Sequence, residues 1–315
     1  MGRVLATSRS FSGGSLDLVA RLAEAGHELV RGDSAHELEE LRPLLADVDA
    51  WVAGTAAVTA EHLDAAPRLR IIARYGVGFE AVDVEAAAAR GILVTNTPGA
   101  NSSAVADHAV GLMLAALRST ASGDRRVRAG DWSAVRGREL GAQTVGIVGF
   151  GRIGRGVAAR LSGFGCRVLV HDPWLSDDQV RAAGAEPATI AQLAAAASVI
   201  TLHAPGGETL VNAGFLAAAA DGLVLVNTAR PDLVDERALA EALGSGRVAA
   251  YAADTLNGDV SGGTSPLLAD ELAEHVTITP HLGAQTIEAV DAMGSLAVDN
   301  VIAVLAGRPP LHPVR

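Results

Sequence analysis

The stretch Thr144-Val-Gly-Ile-Val-Gly-Phe-Gly-Arg-Ile-Gly-Arg155 decides how the rest of the chain is read. It opens as an apolar, β-branched run, which suits a strand buried in a parallel sheet. Gly149-x-Gly151-x-x-Gly154 follows and runs into Arg155-Gly-Val-Ala-Ala-Arg-Leu161, a helical pattern. Each glycine has its own physical role, with a tight turn at Gly149, backbone approach to a pyrophosphate at Gly151 and close helix–strand packing at Gly154. The helix start directs N–H groups and a partial positive charge at the phosphates. A second strand, Cys166-Arg-Val-Leu-Val-His171, ends in Asp172. That acid lies 172 − 151 = 21 residues past the middle glycine, near the roughly 20 expected for an acceptor of the ribose diol. A lone glycine signature is weak, but strand, helix and distant acid together predict dinucleotide binding. A carboxylate at 172 would repel the 2′-phosphate of NADP, so NAD is the expected cofactor.

Around that unit, 315 residues exceed the usual size of one core and predict two domains. A formal net charge of −11 argues against a general nucleic-acid or anionic-membrane partner. The single cysteine, Cys166, excludes an internal disulfide and any multi-cysteine metal site, and no metal is expected. At a strand start it reads as a small core residue. No apolar run reaches the ~18 residues of a membrane span, and the N-terminus lacks a signal-peptide core, so the expected location is the cytoplasm.

Upstream, Arg3–Thr7 reads as a strand and Leu16–Ala25 as a helix, followed by strands at Glu28–Val30, Ala50–Ala53, Arg70–Ala73 and Leu93–Thr95. This βαβ alternation predicts an open parallel sheet. A long helical pattern runs from Ser102 or Ser103 to about Leu117, with Val105, Ala109, Leu112, Met113 and Ala116 apolar and Asn101 or Ser102 as the cap. Downstream strands are expected at Val199–His203, Leu223–Asn227, Val248–Ala252 and Val276–Thr279. The last helix, Thr286–Leu305, is expected to return to the first domain. The expected division is 1–98 with 285–315 as substrate domain and 99–284 as dinucleotide domain.

Three strand ends carry candidate chemistry. Asn227-Thr-Ala-Arg230 follows one, Asp254 and then Asp259 follow the next, and Thr279-Pro-His281-Leu-Gly283 follows the last. Ligands in open α/β sheets bind at the carboxyl ends of strands. Reducing a 2-keto acid needs a cation for the carboxylate and a proton donor for the carbonyl oxygen, with a carboxylate to hold that donor's tautomer. Arg230, His281 and Asp259 supply those types. By residue type alone each is ambiguous, because strand-end arginines often pair on the surface and lone histidines are often structural.

The chain resembles the D-isomer-specific 2-hydroxyacid dehydrogenases, in the branch similar to D-3-phosphoglycerate dehydrogenase. The likeness rests on Arg74-Tyr-Gly-Val-Gly78, Val94-Thr-Asn-Thr-Pro-Gly-Ala-Asn101, Val145–Gly154, Asn227–Arg230, Val234-Asp-Glu236 and Thr279–Gly283. The resemblance implies two doubly wound α/β domains, one flavodoxin-like and one Rossmann, with the active site in an interdomain cleft. It implies catalytic roles for Arg230, Asp259 (where the family usually has glutamate) and His281. The implied cofactor contacts are Gly149, Gly151, Arg152, Ile153, Gly154, Asp172, His203, Pro205, Thr228, Ala229, Asp254, His281 and Gly283, with Asp254 on the nicotinamide carboxamide. Backbone N–H groups of Val77 and Gly78 would hold the substrate carboxylate beside Arg230. A homodimer is implied, with the helix from Asn101 at its interface. The implied reaction is NAD-dependent interconversion of a D-2-hydroxy acid and its 2-keto acid, phosphoglycerate dehydrogenase-like. The alternatives are a glyoxylate or hydroxypyruvate reductase and an NAD(H)-sensing, corepressor-like binding protein. A C-terminal regulatory domain after the last helix, and serine feedback through one, are not expected.

Departures from the family pattern are Pro231 in place of the usual glycine, Asp259 for glutamate, Asp107 for glutamate and a shortened loop at His203–Thr209. Pro231 removes a backbone donor and fixes φ beside Arg230. Arg9 and Arg74 follow strands of the first sheet. They are either solvated surface charges or ligands for a second anionic group such as a 3-phosphate.

Overall fold

Short apolar runs bounded by turn residues become strands throughout the described residues, 1–258 and 264–314 of a computed structural model. The chain divides into two units, Met1–Ala104 with Ala284–Arg315 and Val105–Gly283.

In the first unit the strands are β1 (Gly2–Ala6), β2 (His27–Arg31), β3 (Ala50–Ala53), β4 (Ile71–Arg74) and β5 (Leu93–Thr95). All pair in parallel, in the order β2-β1-β3-β4-β5, which is the flavodoxin-like order. Every residue of β3 and β4 is buried, as strands between two helical layers must be. Leu18, Leu22, Val298 and Val301 cover one face, the last two from the helix Ile287–Leu305. Leu41, Leu45, Leu63 and Ala87 cover the other. Thr286 starts the Ile287–Leu305 helix by accepting the Ala289 N–H at 3.1 Å.

The second unit holds β6 (Thr144–Val148), β7 (Arg167–His171), β8 (Glu186–Pro187), β9 (Val199–Leu202), β10 (Leu223–Asn227), β11 (Val248–Ala253) and β12 (Val276–Ile278). These too are parallel, in the order β12-β11-β10-β9-β6-β7-β8. Strand order reverses between β6 and β9, the topological switch point where ligands of doubly wound sheets bind. Ala106, Ala109, Leu112 and Met113 of the helix Ser102–Leu117 pack on one face with Val145, Ile147 and Val157. Leu193, Leu216, Leu239 and Leu243 fill the other. The expected pair of doubly wound parallel sheets is therefore present.

Two local expectations need correction. The Asn101 side chain does not cap the Ser102–Leu117 helix, because its Oδ1 is buried without a hydrogen-bond partner among the described residues. Cys166 lies just before β7 and is half-buried at the core margin, where burial pushes its thiol pKa up. At position 231 the N–H that proline removes would have had no intrahelical partner, as described below. Among the described residues, no helix is long and apolar enough to cross a membrane.

Candidate active site

The turn after β6 is built by glycines, and the space around each differs. Gly149 has φ +89°, and a Cβ there would lie 2.6 Å from Ala204 N and His203 C, where the chain leaves β9. At Gly154 a Cβ would overlap the Gly149 carbonyl oxygen, so the helix Arg152–Leu161 approaches the turn closely only without a side chain. Gly151 is different, since a Cβ there would enter open space. The expected division of labour among the three thus has a steric counterpart. Asp172 follows β7, with Oδ2 accepting the Phe150 N–H at 2.7 Å and Oδ1 accepting the Trp174 N–H at 2.9 Å. Main chain fixes this carboxylate beside the glycine turn. Arg152 begins the helix at the surface, and Ile153 packs half-buried against the core.

At the end of β9, His203 is tied by Nε2 to Thr201 Oγ1 at 3.0 Å, while burial pushes its pKa down to about 3. Its Nδ1 and the Thr228 hydroxyl after β10 are buried and lack hydrogen-bond partners among the described residues. Buried polar atoms left this way call for a ligand or water. Together with the bare backbone at Gly151, they fit a dinucleotide lying along the carboxyl edge from β7 to β10. Pro205 is exposed and Ala229 half-buried along the same edge.

Arg230 is held through its main chain. Asn227, fully buried, accepts the Ala229 N–H at 3.0 Å and donates Nδ2 to the Arg230 carbonyl at 2.9 Å. Arg230 is extended, with φ −137° and ψ 141°, as a residue before proline prefers. Pro231 starts a 3₁₀ turn, Pro231–Leu233, at a position where an N–H has no intrahelical partner. The proline is therefore accommodated without a lost bond. The next residue, Asp232, accepts the Gly207 N–H at 2.5 Å through Oδ2, and its carbonyl accepts the Thr209 hydroxyl at 3.0 Å. This pins the 203–209 loop. Asp107 pairs with Arg160, whose Nε lies 2.6 Å from Oδ1 and holds that carboxyl below its usual range.

His281 follows β12 in an exposed turn, with its backbone in the left-handed region at φ +56°. A non-glycine residue there costs on the order of 1 kcal/mol or more and persists only where neighbours enforce it. Asp254, 4 % exposed, enforces it. Its Oδ1 accepts the Thr279 hydroxyl at 2.5 Å and the Leu282 N–H at 2.7 Å, and Oδ2 accepts the Gly283 N–H at 2.7 Å. Burial alone would raise the Asp254 pKa, but bonds from His108, Thr279, Gly283 and Leu282 outweigh it and leave a lowered value. The Asp254 N–H in turn reaches the Asn227 carbonyl at 2.9 Å, so one short segment ties the Arg230 loop to the His281 turn. Asp259 lies outside the described residues.

At the carboxyl edge of the first unit, Arg9 is exposed and Arg74 is not. Arg74 is the last residue of β4, 8 % exposed, and its guanidinium bends back to the Tyr75 carbonyl. Reading it as a solvated surface charge is therefore wrong: the strand ends one residue later than expected and carries it inside. A Cβ at Gly76 would lie 2.8 Å from Arg74 Nη1. The Val77 and Gly78 amides find no acceptor among the described residues. His108 and Asn227 join the site without any sequence signal of their own. Asn227 stands in the Asn-Thr-Ala-Arg run, but a clamp on main chain has no side-chain signature.

A profile described as the NAD binding domain of D-isomer specific 2-hydroxyacid dehydrogenases matches residues 110–283. The chain is 41 % identical over 286 residues to a D-3-phosphoglycerate dehydrogenase of Mycobacterium leprae, covering 88 % of this chain and 53 % of that one. It is 37 % identical to a glyoxylate reductase of Pyrococcus furiosus over 86 % of this chain and 84 % of the relative. The crystal structure of the TT0316 protein from Thermus thermophilus superposes with a TM-score of 0.87 at 34 % identity, over 99 % of this chain and 100 % of that one. The chain spans about half the length of the phosphoglycerate dehydrogenases it matches.

Proposed function

We propose, from the premise that this chain belongs to the D-isomer-specific 2-hydroxyacid dehydrogenases, that it reduces a 2-keto acid to the D-2-hydroxy acid and runs the reverse oxidation. The observation that carries the reading is the turn after β12, where a histidine is held in a costly backbone conformation by a buried aspartate at the ligand-binding edge of an NAD-binding sheet. When bound, NAD(H) gives or takes the hydride at C2. Gly151 leaves backbone open to the pyrophosphate, Asp172 accepts the ribose hydroxyls, and His203 and Thr228 offer their buried polar atoms. Arg230 pairs with the substrate carboxylate and polarises the carbonyl, and His281 donates the proton that the carbonyl oxygen takes up as hydride arrives. Asp259 is assigned, on the family resemblance alone, as the carboxylate partner of that histidine. The amides of Val77 and Gly78 serve the carboxylate.

Turnover of NADH against a panel of 2-keto acids tests the reaction. His281→Ala and Arg230→Ala each lower kcat/KM by about a thousandfold while NADH affinity stays within a few-fold. Near-normal turnover by His281→Ala would sink the assignment. Failure of every keto acid, with NADH still bound, would favour the sensing role over the enzyme. Asp172 should give a preference for NADH over NADPH of about a hundredfold or more in kcat/KM.

For the substrate, we place a phosphorylated 2-hydroxy acid first and glyoxylate or hydroxypyruvate second. Arg9, exposed beyond β1, supports the first; the buried Arg74 shapes the 75–78 turn beside it. Phosphohydroxypyruvate should outperform hydroxypyruvate, and Arg9→Ala should erase most of that advantage. No preference in the wild type returns Arg9 to a surface charge. We also propose a homodimer, since Trp132 is 80 % and Val135 54 % exposed on one short arm. Sedimentation of the wild type and of Trp132→Ala tests it, the variant being expected to weaken association.

A further inference from the structure

The bonds around Asp254 extend one step beyond the turn they hold. His108, on the helix Ser102–Leu117, places Nε2 2.9 Å from Thr279 Oγ1 and 3.2 Å from Asp254 Oδ1. Thr279 has one hydroxyl proton and gives it to Asp254 Oδ1 at 2.5 Å. The hydroxyl oxygen can therefore only accept from His108, which fixes the proton on Nε2 of that ring. The chain runs His108 Nε2–H to Thr279 Oγ1–H to Asp254, and Asp254 receives the amides of Leu282 and Gly283, the two residues after His281. Shape agrees with this bonding. A Cβ at Gly283 would lie 2.9 Å from Asp254 Oδ2, 3.5 Å from Val105 Cγ2 and 3.7 Å from His108 Cδ2, so the turn sits directly against the helix. Asp254 can hold the two amides only while its carboxylate plane is fixed, and His108 and Thr279 are the side chains that fix it.

We propose that His108 is a positioning residue for His281, acting through Thr279 and Asp254 to hold the 279–283 turn in its left-handed backbone conformation. The proposal rests on His281 as the proton donor. His108 touches neither substrate nor cofactor in this role; it sets where the donor ring sits. A helix in the packed core thus controls the geometry of an exposed turn, and a misplacement of about 1 Å in a reacting group can cost up to a hundredfold in rate.

The test compares His108→Leu, which removes the donor, with His108→Gln, whose amide N–H can reach where Nε2 lies. Amide hydrogen exchange at Leu282 and Gly283 is read beside kcat and the NADH dissociation constant. In His108→Leu, exchange at both amides should accelerate about tenfold or more, and kcat should fall about 10- to 100-fold, with NADH affinity within twofold. His108→Gln should restore most of both. Unchanged exchange and kcat in His108→Leu overturns the proposal. Equal losses in the leucine and glutamine variants overturn it too, since they would mark a packing role. Thr279→Val and Thr279→Ser carry the same comparison if His108→Leu does not fold. Should His281→Ala keep its turnover, the donor assignment fails, while the exchange data still decide whether His108 holds the turn.

Discussion

The turn after β6 and the turn after β12 leave the same sheet at the same edge, but the first consists of bare backbone while the second puts a histidine where glycine would be easier. At Gly149 the left-handed φ is free of strain, and its neighbour Gly154 is packed by its own lack of a side chain. At His281 a similar sign of φ is carried by an imidazole, and a buried carboxylate just after another strand has to hold it there. The difference follows from what each turn offers a ligand. Phosphates are bound by N–H groups, so side chains only obstruct. Proton transfer needs a side chain, so the turn must be enforced from outside.

The contrast breaks first at Gly149. Gly149→Ala combines a positive φ with main-chain overlap at Ala204 and His203, and should cost more than about 3 kcal/mol in chemical denaturation. Gly151→Ala should leave stability within about 0.5 kcal/mol yet weaken NADH binding, because its Cβ enters the open space assigned to the pyrophosphate. If the two alanines destabilise equally, the glycines do not divide their roles as described.

The enforced turn should fail when its clamp is weakened. Asp254→Asn removes a charged acceptor from buried donors and should cost about 2 kcal/mol, read by denaturant titration, with a fall in kcat larger than any change in NADH affinity. The lowered pKa of Asp254 gives the same loss a pH axis. A carboxyl that ionises more readily when folded stabilises the native state above its unfolded pKa near 4, and that support vanishes as pH falls through the folded value. His203 works on a different stretch of the scale. The unfolded chain takes up its proton near 6.5 and the native state only near 3. Stability should therefore fall as pH drops below about 6.5, by up to about 1.4 kcal/mol per pH unit. Thermal melts of the wild type and His203→Gln from pH 7 to pH 4 check this, the variant showing the shallower decline.

The smallest effect is the most discriminating. His281→Gly should be more stable than His281→Ala by about 1 kcal/mol, because glycine accepts φ +56° without strain. Both variants lose the proposed proton donor. Equal stability would mean that the turn is not strained.

Much of this is legible in the sequence because it is written in local spacing. Gly149, Gly151, Gly154 and Asp172 keep fixed separations, and Arg230 and His281 follow apolar runs that could only be strands. What is not legible depends on contacts between distant segments. His108 lies beside the apolar stripe Val105, Ala109 and Leu112 and reads as an ordinary polar residue at the margin of a helix face. Only the fold brings it to Thr279, 171 residues away. Arg74 misleads for a smaller reason: β4 runs one residue further than its apolar run. The two-residue strand β8, Glu186–Pro187, has no periodicity to detect.

The Asn227 clamp bears on how this loop can change over time. Its two bonds to this loop go to peptide groups, at Ala229 and Arg230, beside a third to the Tyr251 hydroxyl, and neither loop bond depends on the identity of the residue at 231. The arginine's backbone is therefore already ordered before any substrate arrives, so binding need not spend entropy to shape it. The residue at the neighbouring position can correspondingly change without loosening the clamp. Proline at 231 leaves both of these main-chain bonds in place.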